Sequence, residues 1–172
     1  MGNMFSSKLK TDHTNFKGAG CIFTNGTHIL GGYQPHKTSP VISGFGGKRK
    51  EYESFTTTAF RETIEELFDI KDVPKYLIDV LENEIPPSKA KMEDGYIILI
   101  YNFDDLTHLL NEVRTYFGMV KLYPYRFPKD MHELIMNREV HKDSEVSHLC
   151  LLPVVNNLQF DPLFVKDINN LN

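Results

Sequence analysis

The order of elements along the chain predicts an α/β protein in which a mixed β-sheet lies between helices. Short β-branched or aromatic runs open the chain, helical periodicities fall between the later runs, and no repeat, heptad or low-complexity tract interrupts them. A tail over 1–15 precedes a single domain over 16–172. Residues 18–24 and 27–33 are apolar runs joined by Asn25-Gly26, a dipeptide that favours the left-handed backbone of a tight turn, so they read as a β-hairpin. Further strands are expected over 41–45, 96–103 and 146–154. Helices are expected over 56–68, 75–84, 104–117 and 129–137, with a C-terminal helical turn after Asp161-Pro162, an acid cap followed by a proline at the first helical position. The 75–84 stretch is ambiguous, because Tyr76, Ile78 and Val80 also alternate as in a strand.

With 41% apolar and 24% charged residues in a chain of 172, the composition suits one globular domain with a proper core. The net charge of −4 argues against coating nucleic acid through bulk positive charge and leaves small anionic substrates open. Cys21 and Cys150 sit in apolar runs without metal-ligand spacing, which predicts buried free thiols and a reducing compartment. No run is long enough to span a bilayer and residues 1–15 lack the apolar core of a secretory signal, so a cytoplasmic protein is expected. Gly2, in Met1-Gly2-Asn3-Met4-Phe5-Ser6, fits the pattern for N-myristoylation, and Lys8 and Lys10 add positive charge. Such a lipid would give weak, reversible membrane contact.

The informative stretch is Ser43 to Ile70. On a helix from about Thr56, Phe60, Ile64 and Leu67 form one apolar stripe, and Glu62, Glu65 and Glu66 share a fan of about 100° on the opposite side. Glu62 and Glu66 repel as like-charged neighbours four apart, and Arg61, in reach of Glu65, cannot neutralise three carboxylates. An acidic helix face by itself is ordinarily solvated surface. Upstream, however, Gly44, Gly46 and Gly47 flank Phe45 and lead into Lys48-Arg49-Lys50. A glycine-rich, basic approach beside clustered carboxylates is what a phosphate and metal site requires, and magnesium or manganese suits the oxygen ligands best.

Gly47, five residues, Glu53, seven residues, Arg61-Glu62-Thr63, one residue, Glu65-Glu66 resembles the Nudix box, G-x5-E-x7-R-E-U-x-E-E-x-G-U, in register from Gly47 to Asp69. Phe68 stands in place of the family glycine, and Asp69 in place of an aliphatic residue. The first departure bears on the loop after the helix, because a side chain there takes the left-handed capping conformation only at a cost. The resemblance implies an α/β/α sandwich with a mixed sheet. It also implies that Glu62, Glu65 and Glu66 coordinate Mg2+ or Mn2+, that the Gly46 carbonyl adds a ligand, that Arg61 orients the carboxylates and that Glu53 supports them. Gly47, Lys48 and Arg49 would meet the substrate phosphates. A further acid outside the box often acts as base, and Glu145 resembles it, with Glu139 as rival. His141 and His148 flank Glu145 and carry no assigned role.

Tyr123, Tyr125 and Phe127, with Arg126, read either as a base-stacking cluster or as core packing beside two prolines. The run Gly44 to Lys48 resembles the entry to the box in Nudix enzymes that clean oxidised purine nucleoside triphosphates, yet the chain has no tryptophan. The resemblance therefore implies cleavage of a phosphoanhydride bond in a nucleoside-diphosphate-linked substrate such as an oxidised nucleoside triphosphate. The alternatives are an mRNA-decapping enzyme acting on capped RNA, a dinucleoside or diphosphoinositol polyphosphate hydrolase, and a non-catalytic Nudix-fold nucleotide-binding module. A homodimer is a further expectation from the family.

Overall fold

The computed structural model describes residues 15–38, 40–119, 126–154 and 162–169. The tail bearing Gly2, the pair Tyr123 and Tyr125, and Asp161 lie outside these. Strand β1 (Gly18–Phe23) is occupied on both edges, antiparallel by β4 (Phe45–Lys48) and parallel by β6 (Tyr96–Tyr101). With β5 (Lys89–Glu93) on the far side of β6, this gives a mixed sheet of order β4-β1-β6-β5. A second, antiparallel sheet of order β3-β2-β7 consists of β2 (His28–Gln34) between β3 (Val41–Ser43) and β7 (His148–Pro153).

The expected hairpin over 18–33 is corrected in one respect. Its turn is present: Gly26 has φ 86°, and the Asn25 side-chain oxygen accepts from the amides of Thr27 (3.0 Å) and His28 (2.8 Å). Beyond the bridge between Thr24 and Ile29, though, β1 and β2 part into different sheets. A strand has two edges, and those of β1 are taken by β4 and β6. The strand expected over 41–45 likewise divides at Gly44, where the chain passes from one sheet to the other. Strand β5 and its hairpin with β6 were not anticipated, although Asp94-Gly95, both at positive φ, is a strong turn signal. The strand expected over 96–103 stops at Tyr101, because Asn102 and Asp105 cap the next helix reciprocally (2.9 and 2.8 Å).

Helix α1 (Phe55–Phe68) starts at Ser54, whose hydroxyl accepts from the Thr57 amide at 3.0 Å. Phe60, Ile64 and Leu67 are buried against β1 and β4, as the stripe predicts. The ambiguous 75–84 stretch is helix α2 (Lys75–Glu84), which buries Leu77, Ile78 and Leu81 and leaves Tyr76 exposed. Helices α3 (Phe103–Met119) and α4 (Met131–Met136) complete this side, and α5 (Pro162–Asn169) lies against β3. Strand β6 sends Ile97, Leu99 and Tyr101 toward α1 and Ile98 and Ile100 into a second cluster with Ile22, Ile29 and Phe164 of α5. Burial on both faces explains why β6 reads as an unbroken apolar run. Helices thus lie on both faces of the mixed sheet. No helix among the described residues is long and apolar enough to cross a membrane.

The end of α1 accommodates the non-glycine box position by moving the turn. Phe68 stays helical and fully buried against Phe127, and Asp69 takes the left-handed conformation (φ 53°, ψ 47°) while its amide bonds the Glu65 carbonyl. Aspartate tolerates that conformation better than most side chains. Restoring the family residue therefore should not stabilise this chain: Phe68→Gly leaves a cavity and loosens the last helical turn, lowering unfolding free energy by about 4 kcal/mol. Chemical denaturation of the variant measures this, and an unchanged or raised midpoint would contradict the account of α1.

Candidate functional site

Arg61 is buried under the acidic face of α1 and uses its whole guanidinium. Nε and Nη2 donate to the two oxygens of Glu53 (2.6 and 3.0 Å), Nη1 donates to Glu62 (2.7 Å) and Glu65 (3.2 Å), and Nη2 also donates to the Lys48 carbonyl (2.9 Å). Burial opposes the charge of Arg61, but its hydrogen bonds to the carboxylates of Glu53 and Glu62 outweigh it and raise its pKa. Burial likewise opposes ionisation of Glu53, yet bonds from Arg61, the Lys50 amide and Thr58 hold its carboxyl below the usual range. The loop between β4 and α1 is thereby tied to the helix it precedes.

The three box carboxylates are brought to one face and turned to different partners. Glu62 and Glu65 face Arg61, with Lys50 also donating to Glu65 at 3.3 Å. Burial is the chief reason the Glu62 carboxyl titrates above its ordinary value. Gly47 allows this packing, since a Cβ there would lie 2.5 Å from the Glu62 carboxyl. Glu66 is buried and accepts from the Gly46 amide at 2.9 Å and from the Gln34 side chain at 3.4 Å. Gly46 in turn sits where a Cβ would overlap the Tyr96 hydroxyl and the backbone of β1. Burial, then the neighbouring charge of Glu145, pushes the Glu66 carboxyl well above the carboxylate range.

Of the two candidate outside acids, Glu145 is the one beside the box. With Glu62, Glu65, Glu66, Asp69 and Ser144 it lines a cleft of about 150 Å³, whereas Glu139, exposed like Glu145, is not among the residues lining it. Glu145 also borders a cavity of about 410 Å³ on the face of β1 opposite α1. Its apolar wall includes Ile22, Tyr96, Ile98 and Phe164, and Lys17 and Lys37 lie on its border. Gln34 Oε1 and Ser43 Oγ, which border this cavity, and Ser144 Oγ in the cleft are buried with no hydrogen-bond partner among the described residues.

The remaining candidates fall elsewhere. Lys48 is exposed, and the Arg49 guanidinium lies over the Phe16 ring at 4.4 Å and donates to the Glu53 carbonyl. Phe127 is core, stacked on Phe117 at 4.7 Å, while Arg126 donates to the Asp69 carbonyl at 2.7 Å. His141 and His148 are exposed. Glu84, His108 and Glu112 converge between α2 and α3 as an exposed set explained by their own pairing. Sequence reasoning missed Gln34 and Arg138, the second of which donates to the Glu66, Leu67 and Val146 carbonyls. A glutamine closing an apolar strand was the available signal for the first; the second had none, since its partners are backbone carbonyls.

Replacing Arg61 by methionine would keep its apolar stem and strand three carboxylates. Loss of one partner of a buried ionic network costs on the order of 3–5 kcal/mol. We expect that loss in urea unfolding of Arg61→Met, with only part recovered by Arg61→Lys, whose single nitrogen cannot span Glu53, Glu62 and the Lys48 carbonyl. Equal stability of all three proteins would refute the central place given to Arg61.

No protein-family model matches the sequence, and no curated protein matches it. Among solved structures, the chain is similar to a bifunctional NMN adenylyltransferase/ADP-ribose pyrophosphatase from Francisella tularensis, complexed with AMP and a manganese ion, with a TM-score of 0.53 and 14% identity over 92% of this chain. This chain spans 41% of that protein. A NUDIX-family hydrolase from Clostridium perfringens aligns over 92% of this chain and 99% of its own at 11% identity, with a TM-score of 0.41. At these identities the likeness concerns architecture alone, a mixed β-sheet between helices as the α/β reading of the sequence expects.

Proposed function

We propose that this protein is a Nudix-type hydrolase that cleaves a phosphoanhydride bond in a nucleoside-diphosphate-linked substrate, such as an oxidised nucleoside triphosphate. The observation that carries this is the meeting of Glu62, Glu65, Glu66 and Glu145 around one cleft, at the border of a cavity of about 410 Å³. The donor set is all oxygen and its negative charge exceeds what Arg61 and Lys50 offset, which fits a hard divalent cation, Mg2+ or Mn2+, held by Glu62, Glu65 and Glu66. Such an ion, when bound, polarises the phosphate and acidifies a water.

Arg61 keeps Glu62 and Glu65 turned to one side and so sets the direction from which they meet a ligand. The Gly46 amide and Gln34 hold Glu66, and Glu145 is the group in place to take a proton from the attacking water. A cavity of this size is within the range that encloses a drug-sized or nucleoside-sized ligand. Tyr96 and Phe164 offer aromatic faces, Gln34 Oε1 and Ser43 Oγ offer unpaired polar atoms, and Lys17 and Lys37 offer positive charge to phosphates. Lys48, being exposed beside Gly47, is the box lysine free to reach phosphate from outside.

A panel of nucleoside triphosphates, oxidised forms, dinucleoside polyphosphates, capped RNA and diphosphoinositol phosphates, assayed with Mg2+ and Mn2+, tests the reading. Glu65→Gln and Glu66→Gln should fold yet lose metal-dependent hydrolysis, since each removes a ligand charge and keeps side-chain shape. Near-normal turnover in either would overturn the metal-site assignment. Glu145→Gln should slow turnover by a factor of about 10² to 10⁴ with a smaller change in metal affinity. An unaffected Glu145→Gln together with a collapsed Glu139→Gln would move the base to Glu139.

A further inference from the structure

Glu145 lies in the irregular segment between α4 and β7, and such a segment would ordinarily leave a side chain loosely placed. Here it does not. The residues on either side of Glu145 are buried, Ser144 to 5% and Val146 to 1% exposure, and Val146 packs against β2 where Gly32 leaves room for it. Next to them, the Ser147 amide donates to the Tyr33 carbonyl at 2.9 Å. Glu66 lines the same cleft, and after burial the nearness of Glu145 is what raises its carboxyl pKa. Two carboxyl groups that line one cleft from separate segments keep their spacing only if those segments are tied together.

Arg138 is placed to do this. Its Nη1 donates to the carbonyls of Glu66 (2.9 Å) and Leu67 (3.1 Å), and its Nη2 donates to the carbonyl of Val146 (2.6 Å). The Glu65 carbonyl is already taken by the amides of Asp69 and Ile70, so Arg138 donates to the next two acceptors that the end of α1 leaves open, the carbonyls of Glu66 and Leu67. A cation is favoured at that end of a helix, and although burial draws its pKa down to about 10, the side chain stays charged at neutral pH. One flat group therefore touches the main chain of Glu66 and that of the residue after Glu145. Asp69 adds a second tie, since its carboxylate accepts from the His141 amide at 3.0 Å, four residues before Glu145.

We propose that Arg138 is a positioning residue of the site: by bridging the end of α1 to the Val146 carbonyl, its guanidinium fixes where the Glu145 carboxylate stands relative to Glu66. The role rests on the hydrolase reading only in its catalytic consequence, because the bridge itself is a matter of structure. Lysine cannot replace it, since a single ammonium nitrogen does not present two rigidly spaced donors to carbonyls on two segments.

Two measurements on the whole chain test this. In the first, hydrogen exchange of Arg138→Lys is compared with wild type. Exchange over 144–148 should rise by about tenfold or more, with β1 and the first turns of α1 unchanged. If Arg138→Lys does not fold, Arg138→Gln, which keeps two donors, takes its place. Unaltered exchange over 144–148 in a folded variant overturns the proposal.

In the second, the cycle of Arg138→Lys, Glu145→Gln and the double variant is followed by kcat and KM. Arg138→Lys alone should lower kcat by about tenfold with little change in KM, and should add nothing, to within about twofold, when Glu145 is already glutamine. Losses that multiply would mean Arg138 does not act through Glu145, which also overturns the proposal. Absence of metal-dependent hydrolysis in the wild type across the substrate panel would instead sink the hydrolase reading, and the exchange measurement would then decide for or against the bridge by itself.

Discussion

The guanidinium of Arg61 is the contact on which the acidic face depends. Glu62 and Glu65 are neighbours on one helix and repel, and Glu53 approaches from the preceding loop; with no cation among them, burial of this group would be costly. Arg61 meets all three and also the Lys48 carbonyl, so a single planar group closes the loop after β4 onto α1. The glycines before the loop serve the same approach. Gly47 lets the strand end pass against the Glu62 carboxyl, and Gly46 offers its amide to Glu66 at a point where a side chain would strike Tyr96.

A second constraint is the pairing capacity of β1. Because β4 and β6 fill its edges, β2 is sent into another sheet with β7, and this opens the space between the sheets that becomes the larger cavity. It also carries the segment before β7 over the end of α1. Gln34, at the end of β2, then sits against Glu66, and Glu145 comes to the cleft from the other side. The cavity and the carboxylates are thus joined through residues of the second sheet.

Much of the scaffold was legible in the chain. The apolar stripe of α1, the run of β6 buried on both faces, and the turn at Asn25-Gly26 are local patterns whose physical cause lies within a few residues. Asp94-Gly95 is as clear a turn signal, but the strand it follows, Lys89–Glu93, is a weak one, with two lysines at a sheet edge and only Ala90 and Met92 on its apolar face. The left-handed residue after α1 moved from the box position to Asp69, because burying Phe68 against Phe127 outweighs the cost of that conformation for an aspartate.

By itself the sequence determined the elements, the acidic face and the spacing of Glu53, Arg61, Glu62, Glu65 and Glu66, since helical geometry converts spacing directly into direction. It also offered Glu145, by its resemblance to an acid outside the box, with Glu139 as rival. Only the tertiary structure puts Glu145, and not Glu139, among the residues lining the cleft with Glu62, Glu65 and Glu66, and it alone brought Gln34 to Glu66 and Arg138 to the carbonyls of α1 and Val146. Gln34 and Glu66 are 32 positions apart and Arg138 and Glu66 are 72, and the partners of Arg138 are peptide oxygens that every residue possesses. A backbone acceptor has no side-chain signature, so only the folded path of the chain could show which one an arginine would find.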